Sequence, residues 1–300
     1  MPGLARPRRH RRESRTPRMT TQVLSLTRWE WYKLRRRWMP WILLAIIAAL
    51  PQLSLWGSVS GSFGSETEQA VRGADGTRLL FPNSVVGGLL VAQVYGIVLI
   101  MILAASLLGT DYGWGTLRTV LSRGTGRWPF LASKLLLLAL LGAAGLFVGA
   151  AAWAVGGAIA MVTLGDGTWL AESADWIEVV KWSGKAAFGL FPYIALAACV
   201  AVLTSSSGAA IGIALSYYMV ESILVGVLFN FDWFERVAEF LIGPAGYGWM
   251  GLPGGMTFSY PAELPDAAQS FVVLLGYVLV LGGAAFWLFQ RRDIAGARGE

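Results

Sequence analysis

Histidine and cysteine are almost absent from this sequence: His10 and Cys199 are the only ones among 300 residues. One histidine cannot build a histidine-based metal cluster, and because His10 lies in the N-terminal arm we expect no Ser/His/Asp triad within the membrane domain. One cysteine excludes an internal disulfide. No GxxxxGK[ST] loop is present, so the chain has no P-loop with which to bind ATP. The sequence therefore predicts no catalytic residue, no cofactor site and no metal site on this chain, and so not an enzyme.

Charge is also scarce, at 14% of residues, whereas hydrophobic residues make up 55% and the mean hydropathy is +0.57. These values lie outside those of ordinary soluble domains. A helix needs about 20 apolar residues to cross a bilayer. Because the apolar runs lack the alternation of a membrane barrel, we predict an all-α integral membrane protein with six transmembrane helices. The runs are Trp38–Gly57, Val85–Gly109, Leu135–Val162, Ala186–Leu203, Ala209–Phe229 and Phe271–Phe289.

A seventh apolar segment, Val237–Met256, lies between the fifth and sixth runs. Its Gly243-Pro244 pair and later glycines interrupt a continuous helix. We predict an outer hairpin here, and the pattern leaves open whether it is re-entrant or lies at the membrane surface.

Positive charge indicates the orientation, because short cytoplasmic loops carry an excess of Lys and Arg. Cations precede the first run at Arg28, Lys33 and 35–37, and Arg291 and Arg292 follow the sixth. Both termini are therefore predicted to be cytoplasmic, and two termini on the same side require an even number of spans. The longer loops on the other side hold most of the acids.

The residues before the first span divide into two parts. Residues 1–20 form a basic arm with seven arginines among its first eighteen residues; it is either a disordered tail, or an extension ahead of a true start at Met19, or a contact for anionic lipid. One helical face of the next segment holds six residues: Val23, Leu24, Thr27, Trp31, Leu34 and Trp38. Residues 21–37 are therefore predicted to form an amphipathic helix on the membrane surface. A plain basic flank is the alternative. Residues 38–293 then form the transmembrane domain and 294–300 a cytoplasmic tail.

Three stretches together carry a family resemblance: WEWYKLRRRW before the first span, DYGWGTLRTVLSRGTGRWPFLASK between the second and third, and FWLFQRRDI after the sixth. In this order they resemble the permease subunits of ABC-2 type exporters. The resemblance implies a multi-pass protein of a prokaryotic plasma (inner) membrane that works as a homodimer or related heterodimer. It also implies a separate cytoplasmic ABC ATPase, which binds ATP and Mg.

The same resemblance implies that 112–122 is a coupling helix that docks on the ATPase. The candidate docking residues come from the loop that begins at Asp111. The positive-inside rule alone would also explain its arginines. The docking set is Asp111, Tyr112, Trp114, Thr116, Leu117, Arg118, Leu121 and Arg127.

Glu221 is an acid inside the fifth run. An ionised carboxylate near the centre of a span costs roughly 2.5–3.5 kcal/mol on insertion scales, so we expect it to face a cavity or a partner. Tyr217 and Tyr218 lie one helical turn earlier, and Gln93 lies in the second run. We predict that these four residues line a substrate pathway. A structural carboxyl paired with a tyrosine or with Gln93 is the alternative.

The outer segment 169–185 has Trp176, Ile177 and Val180 on one helical face, which predicts a helix lying flat at the outer membrane surface as a lid or an anchor. Glycine pairs such as Gly145 and Gly149 permit close helix packing, either between two copies or within one bundle.

The function predicted from these features is outward movement of a drug, peptide, lipid or similar amphipathic substrate. We expect membrane lipid to contact the chain and nucleic acid not to. An ion-coupled transporter, or a membrane assembly or sensor scaffold without an ATPase, is the alternative.

Overall fold

The computed structural model describes residues 19–60, 79–113, 116–122, 125–164, 169–171, 176–228, 231–251 and 265–291. Within these ranges, the side chains at 58, 116, 118, 121, 164, 232 and 235 lie outside the description. The helices are α1 (Met19–Leu34), α2 (Trp38–Val59), α3 (Asn83–Gly113), α4 (Thr116–Ser122), α5 (Arg127–Leu164), α6 (Trp176–Gly189), α7 (Phe191–Thr204), α8 (Ser207–Leu228), α9 (Asp232–Ala238), α10 (Ile242–Met250) and α11 (Ala267–Arg291).

Six helical segments are long and apolar enough to cross a membrane. Five of these segments are single helices: α2, α3, α5, α8 and α11. The sixth consists of α6 and α7 in succession, and each segment overlaps one of the six predicted runs. Within the described ranges, the β-type pairing consists of one isolated bridge, between Phe81 and Leu170. The prediction of an all-α membrane protein with six candidate spans is confirmed.

Two spans extend beyond their apolar runs. Helix α5 begins at Arg127, eight residues before the predicted start at Leu135, and α3 continues to Gly113. The added turns hold Asp111, Ser133 and Lys134, all of which are buried. Hydropathy underestimates the lengths of α3 and α5, because the polar residues in their added turns have partners inside the bundle and do not end the helix.

Span four is longer than its predicted run. Helix α6 meets α7 at Leu190, whose backbone lies in the right-handed helical region with φ −81° and ψ −22°. Pro192 falls in the first turn of α7, where its missing N–H breaks no helical hydrogen bond. By length and composition, residues 176–204 therefore form one candidate span of 29 residues, and a flat position of 169–185 at the membrane surface stays a prediction.

Two short helices, α9 and α10, lie between spans five and six. The chain turns between Ala238 and Ile242, and Pro244 lies in the first turn of α10 instead of breaking a helix. The Tyr277 hydroxyl donates a hydrogen bond to the Phe240 carbonyl, 3.1 Å away. Tyr277 lies ten residues after the start of α11. The turn between α9 and α10 therefore meets α11 about 15 Å from the start of that helix.

Helix α3 occupies the centre of the bundle and packs against α2, α5, α6, α7 and α8. Small residues permit these contacts: a Cβ on Gly109 would lie 2.4 Å from the Ser207 Cα, and one on Gly149 would lie 2.7 Å from the Ala92 Cβ. Gly149 therefore serves packing within this chain, which was one of the two predicted uses of its motif.

Helix α1 packs against α5. Its buried residues are Thr27, Glu30 and Leu34, so the face toward the bundle includes two of the predicted apolar positions and one acid. Leu24 and Trp31, which were predicted on the same face, are exposed. The described helix spans 19–34 and ends three residues earlier than predicted.

Candidate functional site

A buried lysine joins three helices at the end of the bundle where α3 stops and α5 starts. The Lys134 side chain is fully buried, and its Nζ lies 2.6 Å from Asp111 Oδ2 and 3.0 Å from Glu30 Oε2. Lys33 also pairs with Glu30. Removing ions from water costs several kcal/mol each, and close pairing offsets that cost. Glu30, Asp111 and Lys134, here named the charge cluster, therefore hold α1, α3 and α5 together.

Aromatic and polar contacts extend the charge cluster to α11. The Lys134 Nζ lies 5.1 Å from the centre of the Phe130 ring, and that ring stacks on Phe289 at 6.0 Å. Arg127 donates a hydrogen bond to the Gln290 carbonyl. A cation is favourable at this place because the carbonyls at a helix C-terminus carry partial negative charge. The end of span six is therefore tied to the start of span three.

The predicted docking residues separate into buried and accessible positions. Asp111 and Leu117 are buried within the chain, and their role in docking a partner stays a prediction. Tyr112 packs edge-on against Phe289. Trp114 lies outside the described residues, as do the side chains of Thr116, Arg118 and Leu121. Accessible surface on this loop comes from Gly113, Thr119, Ser122 and the neighbouring Trp128.

Glu30 and Lys134 were missing from the predicted site. The signal for Glu30 was an acid at the edge of an otherwise apolar arc, and the signal for Lys134 was a cation directly before the third apolar run. A charge in such a place almost always has a partner. Two unexplained opposite charges on the same side of the membrane could therefore have been paired from the sequence.

A polar cleft lies in the other half of the bundle, among α3, α6, α7, α8 and α10. It encloses about 610 Å³ of empty space, part of which is open to solvent. Three of the four predicted pathway residues, Gln93, Tyr218 and Glu221, line it together. The polar lining is completed by Tyr193, Ser222 and Tyr247, and apolar walls come from Leu90, Val94, Ile97 and Met250.

Glu221 accepts hydrogen bonds from the start of α10. The Gly243 N–H lies 2.8 Å from Glu221 Oε1, and the Ile242 N–H is a second donor. The N-cap residue of α10 is Leu241, which has no side-chain oxygen to cap the helix. The first N–H groups of a helix lack intrahelical partners, and a carboxylate there also meets the positive end of the helix dipole. Glu221 thus caps α10 from span five.

Gln93 and Tyr217 occupy different surroundings. Gln93 is 7% exposed, and its Oε1 has no hydrogen-bond partner among the described residues. Its Nε2 lies against Gly189, where an added Cβ would come within 2.3 Å. Tyr217 hydrogen-bonds with Tyr277 and is not among the residues that line the cleft, so its place in a substrate pathway stays a prediction. The partners of Glu221 are backbone groups, unlike the predicted alternative of Gln93 or a tyrosine.

A family model described as "Protein of unknown function (DUF2705)" matches residues 45–295. The chain belongs to this family. No curated protein matches the chain. The matched region of this DUF2705 protein contains the polar cleft, Asp111 and Lys134, whereas Glu30 lies before it. The family has no described function. The roles of the polar cleft and of the charge cluster are therefore argued from their geometry.

The two sites offer ion pairs between helices and polar groups in a cleft. Within the described part of this DUF2705 chain, no three histidine, cysteine, aspartate or glutamate side chains come close enough to hold a metal ion. The charge cluster joins helices through ion pairs. The cleft offers one carboxylate, one amide and three phenol rings to a ligand.

Proposed function

We propose that this chain is the membrane-spanning permease subunit of an ATP-driven ABC-2 type exporter, powered by a separate ATPase subunit and moving an amphipathic substrate outward. The observation that carries the proposal is the charge cluster. Lys134 connects the N-terminal helix, the end of span two where the loop to span three begins, and the start of span three. A partner that pushes on this loop would therefore move three elements as one unit.

The short helix α4 is suited to receive that force. Its Leu117 is buried in the main hydrophobic core, whereas Thr119 and Ser122 are exposed. One side of α4 is thus anchored in the bundle, and the other is free to meet a partner. Arg127 and Tyr112 link the same loop to the end of α11, so spans two, three and six would respond together.

The orientation follows from the cations. With the basic segments before α2 and after α11 inside, the charge cluster lies at the cytoplasmic end and the polar cleft toward the outside. Glu221 lies seven residues before the end of α8, or about 10 Å along it. The α9–α10 turn contacts Glu221 at that depth, which supports a re-entrant hairpin over one lying on the surface.

The polar cleft is the proposed outer part of the export pathway. A buried acid within a span usually faces a cavity, a partner or an ion path, and Glu221 faces a cavity. Span five also presents an apolar, exposed face suited to a second copy of the chain. On that face an added Cβ at Gly208 or Gly212 would meet nothing within 4 Å, and the exposed side chains include Ile213, Val220, Ile223 and Val227.

One observation favours the second candidate, an ion-coupled transporter. Glu221 lies at the N-terminus of the short helix α10, which resembles the interrupted helices that ion-coupled carriers use to bind ions. This candidate needs no ATPase and would give the charge cluster only a structural role.

The proposal is tested by isolating the tagged chain from its native membrane and identifying what accompanies it. We expect a protein with a GxxxxGK[ST] loop, and we expect Arg118→Glu to remove it because the reversed charge lies on the docking helix. Lys181→Glu is the matched control: Lys181 is 60% exposed and lies at the opposite end of the bundle, so this variant should retain the ATPase. Equal recovery of the ATPase with both variants, or labelling of Ser122→Cys from outside intact cells, would contradict docking at this loop.

A further inference from the structure

We propose that the polar cleft binds the ammonium group of an amphipathic organic amine. This inference rests on the proposed function, for which it names the substrate class. It depends on three independent features of the cleft: its charge, an unpartnered acceptor, and its aromatic and apolar walls.

The first feature is the sign of the charge. Among the described residues that line the cleft, Glu221 is an acid and none is Lys or Arg. The N-terminus of α10 offsets only about half an elementary charge, so an ionised Glu221 leaves the cleft negative. The neighbouring cation, Lys185, is directed elsewhere: its Nζ lies 5.2 Å from the centre of the Trp182 ring and 5.5 Å from that of Trp249. A cationic ligand would complete the charge balance.

The second feature is the Gln93 amide. Its Oε1 is buried and has no hydrogen-bond partner among the described residues, although buried acceptors are almost always paired. Glu221 and Gln93 together present acceptors, so the complementary group is a cation that carries N–H donors. A protonated amine has both properties, whereas a quaternary ammonium ion has the charge but no donor.

The third feature is the surrounding wall. Tyr193, Tyr218 and Tyr247 come from α7, α8 and α10, and the first two rings meet edge-on at 6.0 Å. Tyrosine faces attract cations within about 6 Å of the ring centre. Leu90, Val94, Ile97 and Met250 supply apolar surface for a hydrocarbon part of the ligand. The cleft therefore fits a small amphipathic amine better than a sugar or an anion.

The test uses 4-phenylbutylammonium and the purified full-length chain in lipid nanodiscs, with binding measured by equilibrium dialysis against empty nanodiscs. Three analogues isolate the features: 4-phenylbutanol lacks the charge, 4-phenylbutyrate reverses it, and 4-phenylbutyl-trimethylammonium keeps the charge without the N–H donors. We expect the ammonium ion to bind about tenfold or more tightly than the alcohol, and the anion to show no saturable binding.

Variants then assign the effect to residues. Glu221→Gln should weaken binding of both cations by about tenfold. Gln93→Leu should weaken the primary amine by about threefold to tenfold and leave the trimethyl analogue unchanged, because only the amine donates to Oε1. Tyr247→Phe should bind the amine as the unaltered protein does, because the face of the ring is kept, whereas Tyr247→Ala should lose binding. This pair of variants serves as a second test if Glu221→Gln proves unstable.

Equal binding of the ammonium ion, the alcohol and the anion would overturn the inference, as would unchanged amine affinity in Gln93→Leu and Tyr247→Ala. No ATPase takes part in this assay. A failure here therefore leaves the exporter proposal to its own copurification test, and a failure of copurification leaves a measured amine site in place.

Discussion

Replacing Lys134 with methionine is expected to lower the free energy of unfolding of the solubilised protein by about 3–5 kcal/mol. The substitution keeps most of the side-chain volume but removes the cation that lies between Asp111 and Glu30. Two carboxylates would then remain buried, with Lys33 as the remaining cation beside Glu30. Unfolding can be followed by intrinsic fluorescence, for which the chain has fourteen tryptophans.

Two controls distinguish the stability lost by leaving buried charges unpaired from the stability lost by removing a lysine elsewhere. Lys181→Met breaks an exposed ion pair with Glu178 and should cost no more than about 1 kcal/mol. The triple variant Lys134→Met, Glu30→Gln, Asp111→Asn removes all three charges and should recover much of the lost stability, because no uncompensated ion remains buried. A Lys134→Met protein as stable as Lys181→Met would show that the charge cluster does not hold these helices together.

Replacing Glu221 with leucine is expected to release the start of α10 from span five. The Ile242 and Gly243 N–H groups would lose their acceptor, and each unsatisfied buried donor costs about 1–3 kcal/mol. Hydrogen–deuterium exchange should therefore accelerate at the start of α10, and the thermal midpoint should fall. The remaining transmembrane helices should keep their protection.

Glu221→Gln is the matched control for that prediction. Its side-chain carbonyl can still accept from the same backbone groups, so exchange at α10 should stay close to that of the unaltered protein. Comparison of the two variants separates the structural role of Glu221 from its charge. Unchanged exchange at Ile242 and Gly243 in the leucine variant would contradict the capping role.

Six spans were predictable because the signal for a transmembrane helix is long and local: about 20 apolar residues in a row. The limits of α5 were not, since its first turns contain Arg127 and Lys134, and hydropathy gives no sign that a polar residue is paired inside a bundle. The start of span four was not predictable for a related reason. The amphipathic pattern of 176–185 resembles a surface helix, but the helical backbone at Leu190 joins it to the apolar run that follows.

The candidate site was predictable where side chains carried the signal. Glu221, Tyr218 and Gln93 were grouped because an acid in a span needs polar neighbours, and all three line one cleft. The partners of Glu221 were not predictable, because backbone N–H groups have no sequence signature. Tyr217 does not line this cleft beside Tyr218, because residues one position apart on a helix point about 100° away from each other. In the loop, Leu117 and Asp111 were chosen by position in a motif, which does not distinguish a buried side from an accessible one.

The energy source of transport tests the central claim most directly. The purified chain and its copurifying ATPase are reconstituted in liposomes, and accumulation of a panel of fluorescent amines, lipids and peptides is measured with ATP or with proton and sodium gradients. The account predicts accumulation of at least one of them only when the ATPase is present and ATP is supplied on the side of the charge cluster. Accumulation driven by an ion gradient through the chain alone would contradict it and would identify an ion-coupled transporter.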